Sequence, residues 1–203
     1  MITTFKEYMT ACPIIAILRG IKPAEILPVC NALFENGIRL LEVPLNSPQP
    51  YESIALASKH CVGRQLVGAG TVLTPQEADE VKASGGTFIV SPNTSPETIR
   101  ETKRLGMVSV PGFFTATEAF TAINVGADYL KLFPSILGPG YIKDLKAVIK
   151  HPILAVGGVT PDNIKDFLGV CAGAGIGSAL YKTGDSVEMV AAKARKLVSL
   201  IQP

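Results

Sequence analysis

A lysine set in an apolar run, Lys131 of Asp128-Tyr129-Leu130-Lys131-Leu132-Phe133-Pro134, is the first residue of this 203-residue chain that could do covalent chemistry. Lysine is rarely buried completely, and apolar neighbours on both sides describe a strand covered on both faces. Desolvation disfavours the ammonium form, so an amine held there keeps a free fraction at neutral pH, and a free amine condenses with a ketone to a Schiff base. Three more residues lie at the ends of apolar runs: Arg19 after Ile17-Leu18, Glu42 after Leu40-Leu41, and Thr71 after Ala69-Gly70. Among these run ends Glu42 is the carboxylate able to shuttle protons, and a nearby arginine lowers the lysine's proton affinity further. Taken singly, each has an ordinary alternative as a surface cation, a loop acid or a turn residue. Two glycine-bearing stretches, Val156-Gly157-Gly158-Val159 and Gly175-Ile176-Gly177-Ser178, follow the last apolar runs with bare backbone amides of the kind that receive phosphate.

The elements that must position these groups alternate. Apolar runs of strand length occupy 13–18, 39–43, 65–69, 87–90, 107–110, 127–132, 152–156 and 169–176. Amphipathic segments at 24–36, 51–61, 75–84, 96–105, 116–125, 140–149, 161–168 and 186–201 follow them in turn. Thr74-Pro75, Ser95-Pro96 and Thr160-Pro161 each set a capping hydroxyl before a proline suited to the first helical position. Glu77, Glu97 and Asp162 then fall in first turns, where the helix dipole favours negative charge. With strand ends at Arg19, Glu42, Thr71, Ser91, Pro111, Lys131, Gly157 and Gly177, the repeat is 20 to 29 residues, room for one helix and two short loops. That regularity predicts a compact α/β fold, a (β/α)₈ TIM barrel spanning residues 1–203 as one domain. An extra helix at 3–10 precedes the first strand and is placed to close the N-terminal face. An open doubly wound sheet would carry a G-x-G-x-x-G turn after its first strand, and here the chain reads Leu18-Arg19-Gly20-Ile21. In a barrel the strand ends share one mouth, so Arg19, Glu42, Thr71 and Lys131 are expected to converge on one pocket.

Composition removes other classes. With 47% apolar and 18% charged residues the chain can fill a core, and a net charge of +2 spread along it gives no nucleic-acid surface. Any anion it binds is therefore small. The longest uncharged stretch, 167–181, holds 15 residues and four glycines, short of the ~20 apolar residues of a membrane helix. Lys6 and Glu7 interrupt the place of a signal-peptide core, so a cytoplasmic protein is expected. Cys12, Cys30, Cys61 and Cys171 are widely spaced, which suits reduced thiols. With only His60 and His151 as imidazoles, no metal centre and no cofactor are expected.

Read together, Ile14-Ile15-Ala16-Ile17-Leu18-Arg19-Gly20, Glu42-Val43-Pro44-Leu45-Asn46-Ser47-Pro48, Gly68-Ala69-Gly70-Thr71-Val72-Leu73, Ser91-Pro92-Asn93, Lys131-Leu132-Phe133-Pro134 and Gly157-Gly158-Val159 resemble the bacterial 2-keto-3-deoxy-6-phosphogluconate and 6-phosphogalactonate aldolases. The resemblance runs over essentially the whole chain. It implies a homotrimer of (β/α)₈ barrels acting on a phosphorylated keto-acid and releasing pyruvate. Lys131 would form the Schiff base and Glu42 would move protons. Arg19 and Thr71 would hold the substrate near its carboxylate, Pro92 and Phe133 would line the substrate site, and Gly157, Gly158, Gly177 and Ser178 would belong to the phosphate site. Gluconate-type members carry E-x-T-L-R-T after the strand-two glutamate. This chain has Pro44-Leu45-Asn46-Ser47-Pro48-Gln49 there, without the arginine, and so resembles the galactonate type. Asn46 and Ser47 are then expected to form a neutral, hydrogen-bonding wall near the substrate hydroxyls. Two other functions use part of the same equipment: a metal-independent phosphosugar isomerase without a covalent lysine, and a noncatalytic sensor of a phosphorylated ligand.

Overall fold

At Thr74 and Ser95 local chemistry starts the helices where the punctuation placed them. Thr74 accepts a hydrogen bond from the Glu77 N–H (3.2 Å) while the Glu77 carboxylate takes the Thr74 N–H (3.0 Å), a reciprocal cap. Ser95 accepts from the Thr98 N–H in the same way (3.3 Å). In the computed structural model, which describes residues 1–201, the chain runs α1 (Ile2–Ala11), β1 (Ile14–Ile17), α2 (Pro23–Glu35), β2 (Leu40–Pro44), α3 (Pro50–His60), β3 (Leu66–Gly70), α4 (Pro75–Ala83), β4 (Phe88–Val90), α5 (Pro96–Arg104) and β5 (Val108–Val110). It continues with β6 (Gly112–Phe113), α6 (Ala116–Asn124), β7 (Leu130–Leu132), α7 (Gly138–Leu145), β8 (Ile153–Val156), α8 (Ile164–Leu168), β9 (Gly173–Ile176) and α9 (Val187–Ile201).

The strands pair in parallel in the order β5-β4-β3-β2-β1-β9-β8-β7-β6. Its two ends, β5 and β6, are one stretch of chain broken only at Pro111, so the sheet closes on itself as a (β/α)₈ barrel. The break has a simple cause: Pro111 has no N–H to give the ladder, while its carbonyl accepts from Lys131 (2.8 Å).

A closed sheet has an inside and an outside, and successive strand residues alternate between them. Ile14, Ala16, Leu41, Val43, Ala155 and Ala174 face outward into the shell shared with the helices. Ile15, Leu40, Phe88, Val90, Val108, Val110, Tyr129 and Leu154 face inward and fill the barrel. The expected N-terminal helix plugs that interior. Phe5 of α1 is fully buried, its ring centroid 5.3 Å from Phe88 and 5.2 Å from Tyr129. The lower half of the barrel is thus solid, and any site must lie in the upper half.

Several boundaries differ from the sequence expectation: the strand expected at 127–132 begins at Leu130, the helix expected at 140–149 runs from Gly138 to Leu145, and two more shift for a reason visible in their hydrogen bonds. Thr160-Pro161 does not start a helix: the Asn163 side chain takes the Thr160 N–H (2.8 Å), the stretch is a turn, and α8 begins only at Ile164. The last strand begins at Gly173 rather than 169, because the Gly169 and Cys171 N–H groups still bond back to Lys165 and Phe167 of α8.

Candidate active site

Period-two alternation carries the inward face up each strand to the C-terminal mouth. Tyr129 points inward, hence Lys131 and Phe133 do too. The same rule takes Leu40 to Glu42, Ile15 to Ile17 and Arg19, and Leu154 to Val156. These meet in a cavity of about 160 Å³ lined by Ile17, Arg19, Glu42, Lys131 and Phe133, with Val156 to Val159, Gly175, Gly177 and Ser178 on the far wall. A hollow of about 410 Å³ adjoins it, sharing Ile17, Arg19, Gly177 and Ser178 and extending past Tyr181 to Thr183. Together they make a trough long enough for an extended ligand. A separate groove of about 320 Å³ between α2 and α9 is roomy but chemically idle. Its Arg39 donates to the Phe34 carbonyl (2.7 Å) and stacks on the Phe34 ring (4.2 Å).

Lys131 is 5% exposed and Glu42 2%, and no ion pair or hydrogen bond joins them among the described residues. Burial lowers the Lys131 amine below the usual lysine range; the Glu42 charge opposes that shift and Arg19 adds to it. Burial likewise pushes the Glu42 carboxyl above the usual carboxylate range, against the pull of Lys131 and Arg19. The two groups are therefore drawn toward each other on the pH scale, as a nucleophilic amine and a proton shuttle at neutral pH must be. The Phe133 ring lies 4.6 Å from Lys131 Nζ, where its face favours a cation, ammonium or iminium alike. Ser135 anchors that corner: its hydroxyl donates to the Leu132 carbonyl (2.9 Å) and accepts from the Val156 N–H (2.9 Å).

The space Glu42 occupies exists because its neighbour on β3 has no side chain. A Cβ on Gly70 would overlap the Glu42 carboxylate. Gly70→Ala is therefore expected to displace Glu42, lowering turnover at least ten-fold and stability by about 1–3 kcal/mol, the usual cost of overpacking. Steady-state kinetics and a melting curve on one preparation check both.

Next to Gly70, Thr71 has φ +58°, a left-handed backbone that a β-branched residue adopts only under strain of about 1–3 kcal/mol. Such strain gathers at functional sites. Thr71 and Pro92 stand at the ends of β3 and β4 but are not among the residues lining the cavity. The other eight expected site residues line it, Arg19, Glu42, Lys131, Phe133, Gly157, Gly158, Gly177 and Ser178. Ile17, Val156, Val159 and Gly175 also line it; the last three lie within the glycine-bearing stretches of the sequence but were not themselves expected site residues. Ile17 and Gly175 could have been found by stepping back two residues from Arg19 and Gly177.

Gly157 and Gly158 both hold left-handed φ (+87° and +80°), which turns the chain sharply at the rim. Among the described residues the N–H groups of Gly158, Gly177 and Ser178 have no intramolecular acceptor and are free for an anion. Helix starts do not reach them. Turns intervene before α8 and α9 begin at Ile164 and Val187, so bare loop amides form this end. The Asn46 and Ser47 wall is also not free: Asn46 Oδ1 accepts from Arg19 (2.5 Å) and Ser47 Oγ from the Gly20 N–H (2.9 Å).

A barrel with a desolvated amine, a buried carboxyl, an arginine and bare amides around one trough has the groups that an enzyme activating a carbonyl through a lysine, and gripping an anionic substrate, requires. The model of the aldolase family described as KDPG and KHG aldolase matches residues 5–193, and the chain belongs to that family. It is 47% identical over 196 residues to the 2-dehydro-3-deoxy-6-phosphogalactonate aldolase of Escherichia coli K12, covering 95% of this chain and 96% of that one. The KHG/KDPG aldolase of the same organism is 29% identical over 191 residues, covering 92% and 88%. A solved structure described as native KDPGal superimposes with a TM-score of 0.91 at 47% identity, covering 93% of each chain.

Proposed function

We propose that the chain is a Schiff-base aldolase that cleaves 2-dehydro-3-deoxy-6-phosphogalactonate to pyruvate and glyceraldehyde 3-phosphate. The observation that carries this reading is Lys131, buried inside the barrel with its amine beside Glu42 and Arg19. The isomerase alternative gives such an amine no task, and a sensor would have no use for a proton shuttle.

The arrangement of Lys131, Glu42 and Phe133 around one cavity supports the following steps. The Lys131 Nζ lone pair attacks the C2 ketone, and loss of water leaves an iminium over the Phe133 ring. Glu42, directly or through a water, takes the proton of the C4 hydroxyl. The C3–C4 bonding electrons flow into the iminium, the aldehyde leaves, and an enamine of pyruvate remains. Glu42 returns its proton to C3, and water then hydrolyses the iminium to free pyruvate and the amine. Arg19 holds the carboxylate, with Thr71 and Pro92 at the same rim. The phosphate lies against the amides of Gly157, Gly158, Gly177 and Ser178.

The choice of epimer rests on the closer likeness to the galactonate relative, 47% against 29%. A mismatched hydroxyl leaves a buried polar group unpaired at about 1–3 kcal/mol, so kcat/KM is expected to favour the galactonate-derived keto-acid about ten-fold or more. Cleavage of both epimers by one preparation, with pyruvate release coupled to lactate dehydrogenase, measures this. Preference for the gluconate epimer would reverse the assignment.

The same reading makes the enzyme a cytoplasmic homotrimer acting as one domain. Among the described residues no helix is long and apolar enough to cross a membrane. Ile136 and Leu137, 71% and 54% exposed in the loop after Phe133, give that rim the apolar character of an interface.

A further inference from the structure

Arg19 sits at the mouth with an exposed guanidinium, and among the described residues no carboxylate pairs with it. A free arginine side chain samples many rotamers, and fixing it on a ligand costs binding energy. Here one hydrogen bond, between two exposed side chains, already restrains it. Its Nη1 donates to Asn46 Oδ1 at 2.5 Å, across the gap between the loops that follow β1 and β2. Those loops are themselves tied. The Gly20 N–H donates to the hydroxyl of Ser47, which is 7% exposed, and the Leu45 N–H donates to the Gly70 carbonyl (2.8 Å). Asn46 is thus a short side chain on a braced loop.

We infer that Asn46 is a positioning residue that aims Arg19 at the substrate carboxylate, and that its neutrality is part of the function. The inference rests on the Schiff-base reading above. A guanidinium has five N–H donors, and Asn46 accepts from one nitrogen while leaving the remaining donors and the whole positive charge for the ligand. An aspartate in the same place would hold the arginine at least as firmly but would neutralise it. Holding and charge are therefore separable by substitution.

The test is borohydride trapping of the whole enzyme on two ketones of similar size, anionic pyruvate and uncharged hydroxyacetone, with the concentration for half-maximal trapping as the readout. Asn46→Ala is expected to raise that concentration for pyruvate about ten-fold and leave hydroxyacetone unchanged, with the limiting rate preserved. Asn46→Asp is expected to raise it for pyruvate as well, although the hydrogen bond survives. Arg19→Ala should be worse for pyruvate than either, and adding Asn46→Ala to it should change nothing further. Equal losses for both ketones would show a merely structural loop. An Asn46→Asp enzyme that binds pyruvate as wild type does, or additive losses in the double variant, would overturn the inference while leaving the aldolase reading intact. A wild-type chain in which pyruvate does not label Lys131 would overturn both.

Discussion

Lys131→Met loses the pyruvate adduct and turnover together and melts at a higher temperature than the wild-type chain. In the wild-type enzyme, borohydride with pyruvate fixes one adduct on the peptide carrying Lys131, because that amine is the one burial keeps partly free. Methionine fills nearly the same volume without a nucleophile, so turnover should fall by more than the about 10²–10⁴ a proton shuttle is worth. The stability gain follows from linkage. The folded-state lysine has its pKa lowered, so between that value and the ordinary ~10.4 the unfolded chain binds more protons. The wild type therefore gains stability as pH rises through that window, and below it carries the full cost of the buried amine. The advantage of Lys131→Met should accordingly be largest below that lowered pKa and shrink toward pH ~10.4. Glu42 loses its compensating charge in the variant and takes up a proton more readily, which limits the opposing loss. Peptide mapping and melting curves across pH check the two halves. Label on Lys143 or Lys146 instead would end the Schiff-base assignment, and a lower melting temperature at neutral pH would end the claim that this amine is held at a cost.

Glu42→Gln separates covalent capture from bond cleavage. The amide keeps the shape between Ile17 and Gly68, its partners in the parallel ladder, but cannot accept the C4 proton. Turnover should fall about 10²–10⁴-fold while pyruvate trapping on Lys131 persists. The pH profile adds a second readout. Burial raises the Glu42 pKa, so the acid limb of wild-type turnover should lie above the ordinary carboxylate value of ~4.3. The part of that limb set by Glu42 should be missing from the residual activity of Glu42→Gln, which keeps only the loss caused by protonation of the Lys131 amine. Unchanged turnover would show that another group moves the proton.

What was legible in the sequence was what is local. The apolar runs, their repeat of 20 to 29 residues and the caps at Thr74 and Ser95 are written in neighbouring residues, and they determine eight barrel positions and an N-terminal plug. Lys131 could be singled out because a charge in an apolar run is visible without any partner. Where local signals compete, the sequence alone misleads. Thr160-Pro161 looks like a helix start, yet the Asn163 side chain captures the Thr160 N–H and makes a turn of it.

Closure of the barrel decided the rest, since it alone brings residues far apart in the chain within reach of one another. Gly70 carries no signal of its own until β3 lies beside β2, when its missing side chain proves to be the room Glu42 needs. Asn46 and Ser47 read as a free polar wall until the first two loops meet and Arg19 and Gly20 claim their oxygens. The residue types came from the sequence. Their proton affinities did not, because the shifts at Lys131 and Glu42 come from burial and from charges that only the folded chain places around them.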